Sequence, residues 1–167
     1  MEENVKIRIL KEAILFERRG KAFYEKVAEQ TDNTAVKDFF LMMAQEEENH
    51  VQILMEQFSK VNAGETFSWN ESEEKKYGEV SEMVINPDFV KEIDAAAYEA
   101  AAISAAISME RNAIELYQER ADSSDDADEK RLYNWLANWE KSHLVFLAEI
   151  DKQLTEEVWF ENQFWSF

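Results

Sequence analysis

The chain has 167 residues, 46% of them hydrophobic, and a formal net charge of −18. It contains no cysteine, which excludes disulfides, zinc fingers, rubredoxin-type iron centres and cysteine catalysis. The negative charge makes nucleic acid and anionic membrane surfaces unfavourable partners, because binding phosphate requires clustered Lys and Arg. Three glycines and one proline offer few turns for a β-protein and favour long helices in a single domain spanning 1–167.

The hydrophobic stretches are short and interrupted by charge. The first twenty residues, MEENVKIRILKEAILFERRG, carry charges throughout and contain no signal-peptide core. The most apolar stretch, residues 95–109, includes Glu99 and is too short to cross a bilayer. We therefore expect a soluble, cytoplasmic protein that does not associate with membranes.

Hydrophobic periodicity predicts four long helices, in chain order at about 5–30, 34–61, 95–122 and 126–154. Short joints after the first and third helices make each pair an antiparallel hairpin. The connection at 62–94 is long enough to cross the bundle, and a tail follows at 155–167. Asn86–Pro87 and Asp94 are predicted helix-start signals within that connection. The predicted fold class is all-α: a four-helix bundle of two antiparallel hairpins joined by a long crossover.

Each predicted helix carries an apolar stripe that a glutamate interrupts near its middle. The interrupting residues are Glu17, Glu47, Glu110 and Glu140. The only two histidines, His50 and His143, follow two of these glutamates by three residues, a spacing that places the pair on one helix face. Within EEENH (46–50), we assign Glu47 and His50 to this face and expect Glu46 and Glu48 to be solvated.

The two predicted hairpins repeat one another. A shift of 93 residues aligns them without a gap. The aligned pairs are Leu10 with Ile103, Ile14 with Ile107, Glu17 with Glu110, Gly20 with Ala113, Tyr24 with Tyr117, Ala28 with Ala121, Phe40 with Tyr133, Glu47 with Glu140 and His50 with His143. The repeat indicates that the carboxylates and imidazoles of both halves serve one site.

Four ionised carboxylates in an apolar bundle must be neutralised, because an unpaired buried carboxylate costs several kcal/mol. Two divalent cations balance four carboxylates, and the two neutral imidazoles supply one nitrogen ligand per ion. Oxygen-rich ligation of this kind suits Fe(II) or Mn(II). The alternative is a helical bundle with a polar seam and no metal.

The motifs that carry this pattern resemble the rubrerythrin branch of the ferritin-like superfamily over residues 5–154. They are ERRGKAFY (17–24), EENH (47–50), ERNAIELY (110–117) and EKSH (140–143). The resemblance implies a ferritin-like di-iron bundle with two iron ions, manganese and zinc being alternatives. The implied metal ligands are Glu17 and Glu110 as terminal carboxylates, Glu47 and Glu140 as bridges, and His50 and His143 on one ion each.

The resemblance assigns Tyr24 and Tyr117 as hydrogen-bond donors to ligating carboxylates; the alternative is that they are core aromatics. It also has two departures. Without cysteine the chain lacks the rubredoxin domain of full rubrerythrins, and Ala113 occupies the position of their seventh glutamate. Gly20 and Ala113 either leave room for an oxygen ligand or allow close helix packing.

The resemblance implies a di-iron or di-manganese oxidoreductase, of peroxidase or ferroxidase type, that reacts with O₂ or hydrogen peroxide in oxidative-stress defence or iron handling. A separate protein would donate the electrons. The alternatives are a ferritin-type protein that oxidises and stores iron, and a metal-free helical scaffold.

Two further aromatic features lie outside these motifs. The tail at 156–167 contains five aromatic residues. Three interpretations are open: the tail docks on its own bundle, forms a homodimer contact or binds another protein. Trp135 and Trp139 form a second apolar stripe on the last helix, and either the crossover or a second subunit must cover it. We expect a homodimer.

Overall fold

The computed structural model describes residues 4–77, 93 and 98–161, with side chains through residue 156. Its helices are α1 (Val5–Gln30), α2 (Thr34–Asn62), α3 (Glu71–Tyr77), α4 (Tyr98–Ser123) and α5 (Ala127–Glu161). Every element of regular structure in these ranges is helical, which confirms the all-α prediction. α1 packs along α2, and α4 packs along α5. None of the described helices combines the length and apolar character needed to cross a membrane.

Side-chain caps determine where three of the long helices begin. The carboxamides of Asn4 and Asn33 accept hydrogen bonds from backbone amides two and three residues later, at 3.0 and 3.1 Å. Asp126 caps α5 in the same way, within the short joint that the sequence predicts after the third helix. The predicted start signals at Asn86–Pro87 and Asp94 lie outside the described residues.

The last helix is longer than the sequence predicts. Its predicted end is near Leu154, whereas α5 continues to Glu161. Residues 155–161 contain neither glycine nor proline, so nothing in the sequence stops the helix there. The helix therefore includes the first part of the predicted tail. The side chains of that tail beyond residue 156 lie outside the described ones, and its docking stays a prediction.

The apolar core consists of two clusters, one toward each end of the bundle. One contains Tyr24, Phe40, Ile103 and Leu147, all fully buried. The other contains Leu10, Leu54, Tyr117 and Tyr133, also fully buried. Each buried side chain of this size contributes roughly 1.5–3 kcal/mol. On every long helix the predicted glutamate falls between residues of the two clusters, so the packing of both ends positions one polar layer.

The crossover covers the second apolar face of α5. Trp69, which precedes α3, is 1% exposed, and its ring centroid lies 5.0 Å from that of Trp135. Gln57 anchors this part of the chain, because its carboxamide exchanges two hydrogen bonds of 3.1 Å with the backbone of Ser68. The sequence leaves open whether the crossover or a second subunit covers Trp135. In the structure the crossover covers it, through Trp69.

Candidate metal centre

The six residues that the sequence singles out lie together in the polar layer between the two apolar clusters. Each is buried, with at most 4% of its surface exposed. They are Glu17 on α1, Glu47 and His50 on α2, Glu110 on α4, and Glu140 and His143 on α5. Every one of the four long helices therefore contributes a carboxylate to one buried site.

The ligand atoms form two overlapping groups, within each of which they lie no more than 4.8 Å apart. One group is Glu17, Glu47, His50 and Glu140; the other is Glu47, Glu110, Glu140 and His143. Glu47 and Glu140 belong to both groups. Each group thus has three carboxylates and one imidazole, and the two groups share two carboxylates.

The imidazoles direct Nδ1 toward the carboxylates. His50 Nδ1 lies 2.9 Å from Glu140 Oε1 and 3.3 Å from Glu17 Oε2. His143 Nδ1 lies 3.1 Å from the other oxygen of the same carboxylate, Glu140 Oε2. The ring centroids of the two histidines are 6.0 Å apart. Glu140 therefore turns one oxygen toward each histidine, as a carboxylate shared between two ions would.

The chemistry of these donors fits a pair of divalent cations. Among the described residues, the ion-pair partners of the four carboxylates are the two histidines. Glu140 Oε1, which lies 2.9 Å from His50 Nδ1, has no hydrogen-bond partner among the described residues. A buried carboxylate oxygen without a hydrogen-bond partner is a candidate ligand for a cation. Oxygen-rich groups with one nitrogen each suit iron or manganese.

Burial and mutual repulsion make the cluster hold protons. Burial, reinforced by the carboxylates of Glu47 and Glu140, raises the pKa of Glu17 well above its usual value, and the pKa of Glu110 is raised for the same reasons. Burial alone would lower the pKa of His50, but the neighbouring carboxylates raise it well above the usual value. Burial opposes ionisation of Glu140, yet the two imidazoles hold its pKa well below the usual range. A cation in the cluster would replace these protons.

Two tyrosines hydrogen-bond the single glutamates, and they do so across the two hairpins. The hydroxyl of Tyr24 on α1 donates to Glu110 on α4, and the hydroxyl of Tyr117 on α4 donates to Glu17 on α1. Each tyrosine is two turns from the glutamate on its own helix, which puts it out of reach of that carboxylate. The bond from Tyr117 engages Glu17 Oε1 and leaves Oε2 toward His50. Glu110 Oε1, in contrast, both accepts from Tyr24 and lies 3.8 Å from His143 Nδ1.

The small residues that the sequence predicts next to the site differ in their surroundings. A methyl group at Gly20 would lie 3.3 Å from Glu47 Cδ, so glycine here allows the shared carboxylate to approach α1 closely. Ala113 is 3% exposed and belongs to the apolar cluster that contains Tyr117. An apolar methyl therefore stands where the resemblance would place a seventh carboxylate.

The two glutamates that flank Glu47 in EEENH have different surroundings. Glu48 is half-exposed and pairs with Lys21 at 2.8 Å. Glu46 departs from the expectation that it is solvated, because the residue is half-buried and its Oε2 is buried. The equivalent position in the second half is Trp139, whose ring centroid lies 5.5 Å from that of His50. The 93-residue alignment pairs Glu46 with Trp139, so it contains the signal that Glu46 occupies a partly covered position.

Comparison with known proteins agrees with the site geometry. A family model described as Rubrerythrin matches residues 8–151, a range that contains all six candidate ligands and both tyrosines. No curated protein and no solved structure matches the chain.

Proposed function

Because the chain belongs to the rubrerythrin family, we propose that it is a non-haem di-iron oxidoreductase that reacts with O₂ or hydrogen peroxide. The observation that carries the proposal is the pair of buried donor groups sharing Glu47 and Glu140. Manganese has the same ligand preferences and is the alternative metal. A metal-free scaffold would have to keep four carboxylates buried with two imidazoles as their ion-pair partners, which is costly.

The ligand roles follow from the two groups. Glu17 and His50 would hold one ion, and Glu110 and His143 would hold the other. Glu47 and Glu140, which belong to both groups, would bridge them. A bound pair of ferrous ions supplies two electrons to one molecule of O₂ or peroxide.

The surrounding residues fix the ligands and exclude water. Tyr24 and Tyr117 orient the terminal carboxylates by donating hydrogen bonds to them. Burial, together with the carboxylate of Glu110, raises the pKa of Tyr24 well above its usual value, so its hydroxyl keeps the proton that it donates. The two apolar clusters cover the site from both ends of the bundle and separate it from bulk water.

Electrons for repeated turnover would come from a separate donor protein, since the chain has no cysteine with which to build a rubredoxin-type centre. Such an enzyme would serve oxidative-stress defence or iron handling. A ferritin-type storage protein uses the same ligands but assembles into a shell. Size-exclusion chromatography separates a homodimer from such a shell, and we propose the homodimer.

Metal analysis of Glu47→Gln and Glu48→Gln tests the proposal. The two positions are adjacent on α2, and the substitutions are identical, but only Glu47 belongs to the donor groups. After anaerobic loading with Fe(II) and removal of excess metal, we expect about two ions per chain in the parent and in Glu48→Gln, and fewer in Glu47→Gln. Equal metal content in both variants, or none in the parent, would contradict the di-metal site.

A further inference from the structure

A line of aromatic rings leads from His50 toward the surface. The ring centroid of Trp139 lies 5.5 Å from that of His50, and the centroid of Trp135 lies 4.7 Å from that of Trp139. Trp69 follows at 5.0 Å from Trp135, and Tyr77 at 5.8 Å from Trp69. We call Trp139, Trp135, Trp69 and Tyr77 the aromatic ladder. Each ring is close enough to the next for their π-systems to interact.

The internal repeat shows that the fold does not require this ladder. In the first half, Met42 and Glu46 occupy the positions equivalent to Trp135 and Trp139. The first half therefore has no aromatic residue at either position, although the metal-ligand pattern is repeated. The repeated fold alone does not require the two tryptophans of α5.

The outer end of the ladder is suited to proton-coupled oxidation. Tyr77 is half-buried, and its hydroxyl donates a hydrogen bond of 2.9 Å to Glu56 Oε1. Lys76 Nζ donates to the same hydroxyl at 3.2 Å. Burial, together with the carboxylate of Glu56, raises the pKa of Tyr77, so the phenol is neutral before oxidation. A tyrosine that loses an electron must also release its proton, and the Glu56 carboxylate is placed to accept it.

We propose that the aromatic ladder carries single oxidising equivalents from the buried end at His50 to Tyr77. Trp69, once oxidised by its inner neighbour, takes one electron from Tyr77, and the phenol proton moves to Glu56. The products are neutral Trp69, a tyrosyl radical and a protonated Glu56 carboxyl. A small one-electron reductant of the ascorbate class then returns the electron to Tyr77, and the proton goes back from Glu56.

The proposal rests on the proposed function, because the reaction of peroxide at the site would supply the oxidising equivalents at the buried end. Tryptophan and tyrosine are among the most easily oxidised side chains. A path through them would lead an oxidising equivalent away from the six ligands and toward a reductant in solution. The transfer along the ladder is a property of the chain itself and is measurable without metal.

Pulse radiolysis of the full-length, metal-free chain tests the ladder independently of metal binding. Azide radicals oxidise tryptophan, and transient absorption follows the conversion of tryptophanyl to tyrosyl radical. Of the five tryptophans, Trp159 and Trp165 lie outside the ladder. The background variant Trp159→Phe/Trp165→Phe therefore restricts the initial radical to the ladder.

In this background, Tyr77→Phe should slow the formation of tyrosyl radical by at least about tenfold, equivalent to about 1.4 kcal/mol in activation free energy. Tyr98→Phe is the matched control, because Tyr98 is also accessible, with 46% of its surface exposed. It should leave the rate unchanged. Trp69→Phe should slow the transfer to a similar degree as Tyr77→Phe. A rate in Tyr77→Phe equal to that in Tyr98→Phe would overturn the proposal.

Metal content separates the two proposals. Tyr77→Phe should bind the same number of ions as the parent, since Tyr77 reaches the site only through other rings. Fast radical transfer in a chain that binds no metal would leave the ladder standing and refute the di-iron function. Metal binding without radical transfer would refute the ladder alone.

Discussion

The crossed tyrosine bonds give the sharpest stability prediction, because the molecule contains a matched control. Tyr117 and Tyr133 are both fully buried, and their rings stack with centroids 6.0 Å apart. The Tyr117 hydroxyl donates to Glu17, whereas the Tyr133 hydroxyl has no hydrogen-bond partner among the described residues. Replacing either with phenylalanine removes one buried oxygen from the same stack.

The two substitutions should change the free energy of unfolding by different amounts. Tyr117→Phe loses a buried hydrogen bond and leaves a Glu17 oxygen unpaired, at a cost of about 1–3 kcal/mol. For a chain of this length that corresponds to a fall in Tm of roughly 2–12 °C. Tyr133→Phe removes a hydroxyl that is buried without a hydrogen bond. The substitution should therefore be neutral or stabilise the protein by up to about 1 kcal/mol. The repeat supports this, because Phe40 stands at the equivalent position in the first half.

Thermal and urea unfolding of the metal-free parent and both variants measures the difference. Circular dichroism before unfolding confirms that each variant keeps its helical content. Equal losses of stability in Tyr117→Phe and Tyr133→Phe would mean that the bond to Glu17 contributes nothing and that the stack alone is sensitive. That result would refute the reasoning.

Two further predictions concern charge in the cluster. In the metal-free protein, the pKa values of Glu17 and Glu110 are raised above their unfolded value of 4.5. Their contribution to the free energy of unfolding is therefore fully present below pH 4.5 and is lost as the pH rises through the raised values. Ala113→Glu should leave two ions bound, destabilise the metal-free form and speed the oxidation of the diferrous protein by hydrogen peroxide in stopped flow. Rates equal to the parent, with the new carboxylate shown by crystallography to ligate iron, would mean that the seventh glutamate does not limit peroxide chemistry.

The helices and the composition of the site could be predicted because both depend on local periodicity. A carboxylate in the middle of an apolar stripe is visible in the sequence, and the 93-residue repeat shows which glutamates belong together. The predicted helix starts at about 34 and 126 agree with the observed starts of α2 at Thr34 and α5 at Ala127 for the same reason. The structure places all six predicted residues in one buried layer.

Features that depend on how the hairpins pack could not be predicted in the same way. The sequence places Tyr24 and Tyr117 on the correct faces, but their partners depend on the offset between α1 and α4, which is a tertiary quantity. Trp69 lies in a connection without periodicity, so nothing local indicated that it would pack on Trp135. The predicted end of α5 follows the last residue of the apolar stripe, Leu154. The helix itself continues beyond that residue, because no glycine or proline stops it.

We propose that the polar layer holds two metal ions between shared carboxylates. Anomalous diffraction from crystals of the Fe(II)-loaded protein, recorded at the iron and manganese absorption edges, tests it most directly. We expect two peaks in the layer, one beside His50 and one beside His143, with Glu47 and Glu140 between them. A layer without an anomalous peak, or with a single peak unaffected by Glu47→Gln, would contradict the di-metal centre.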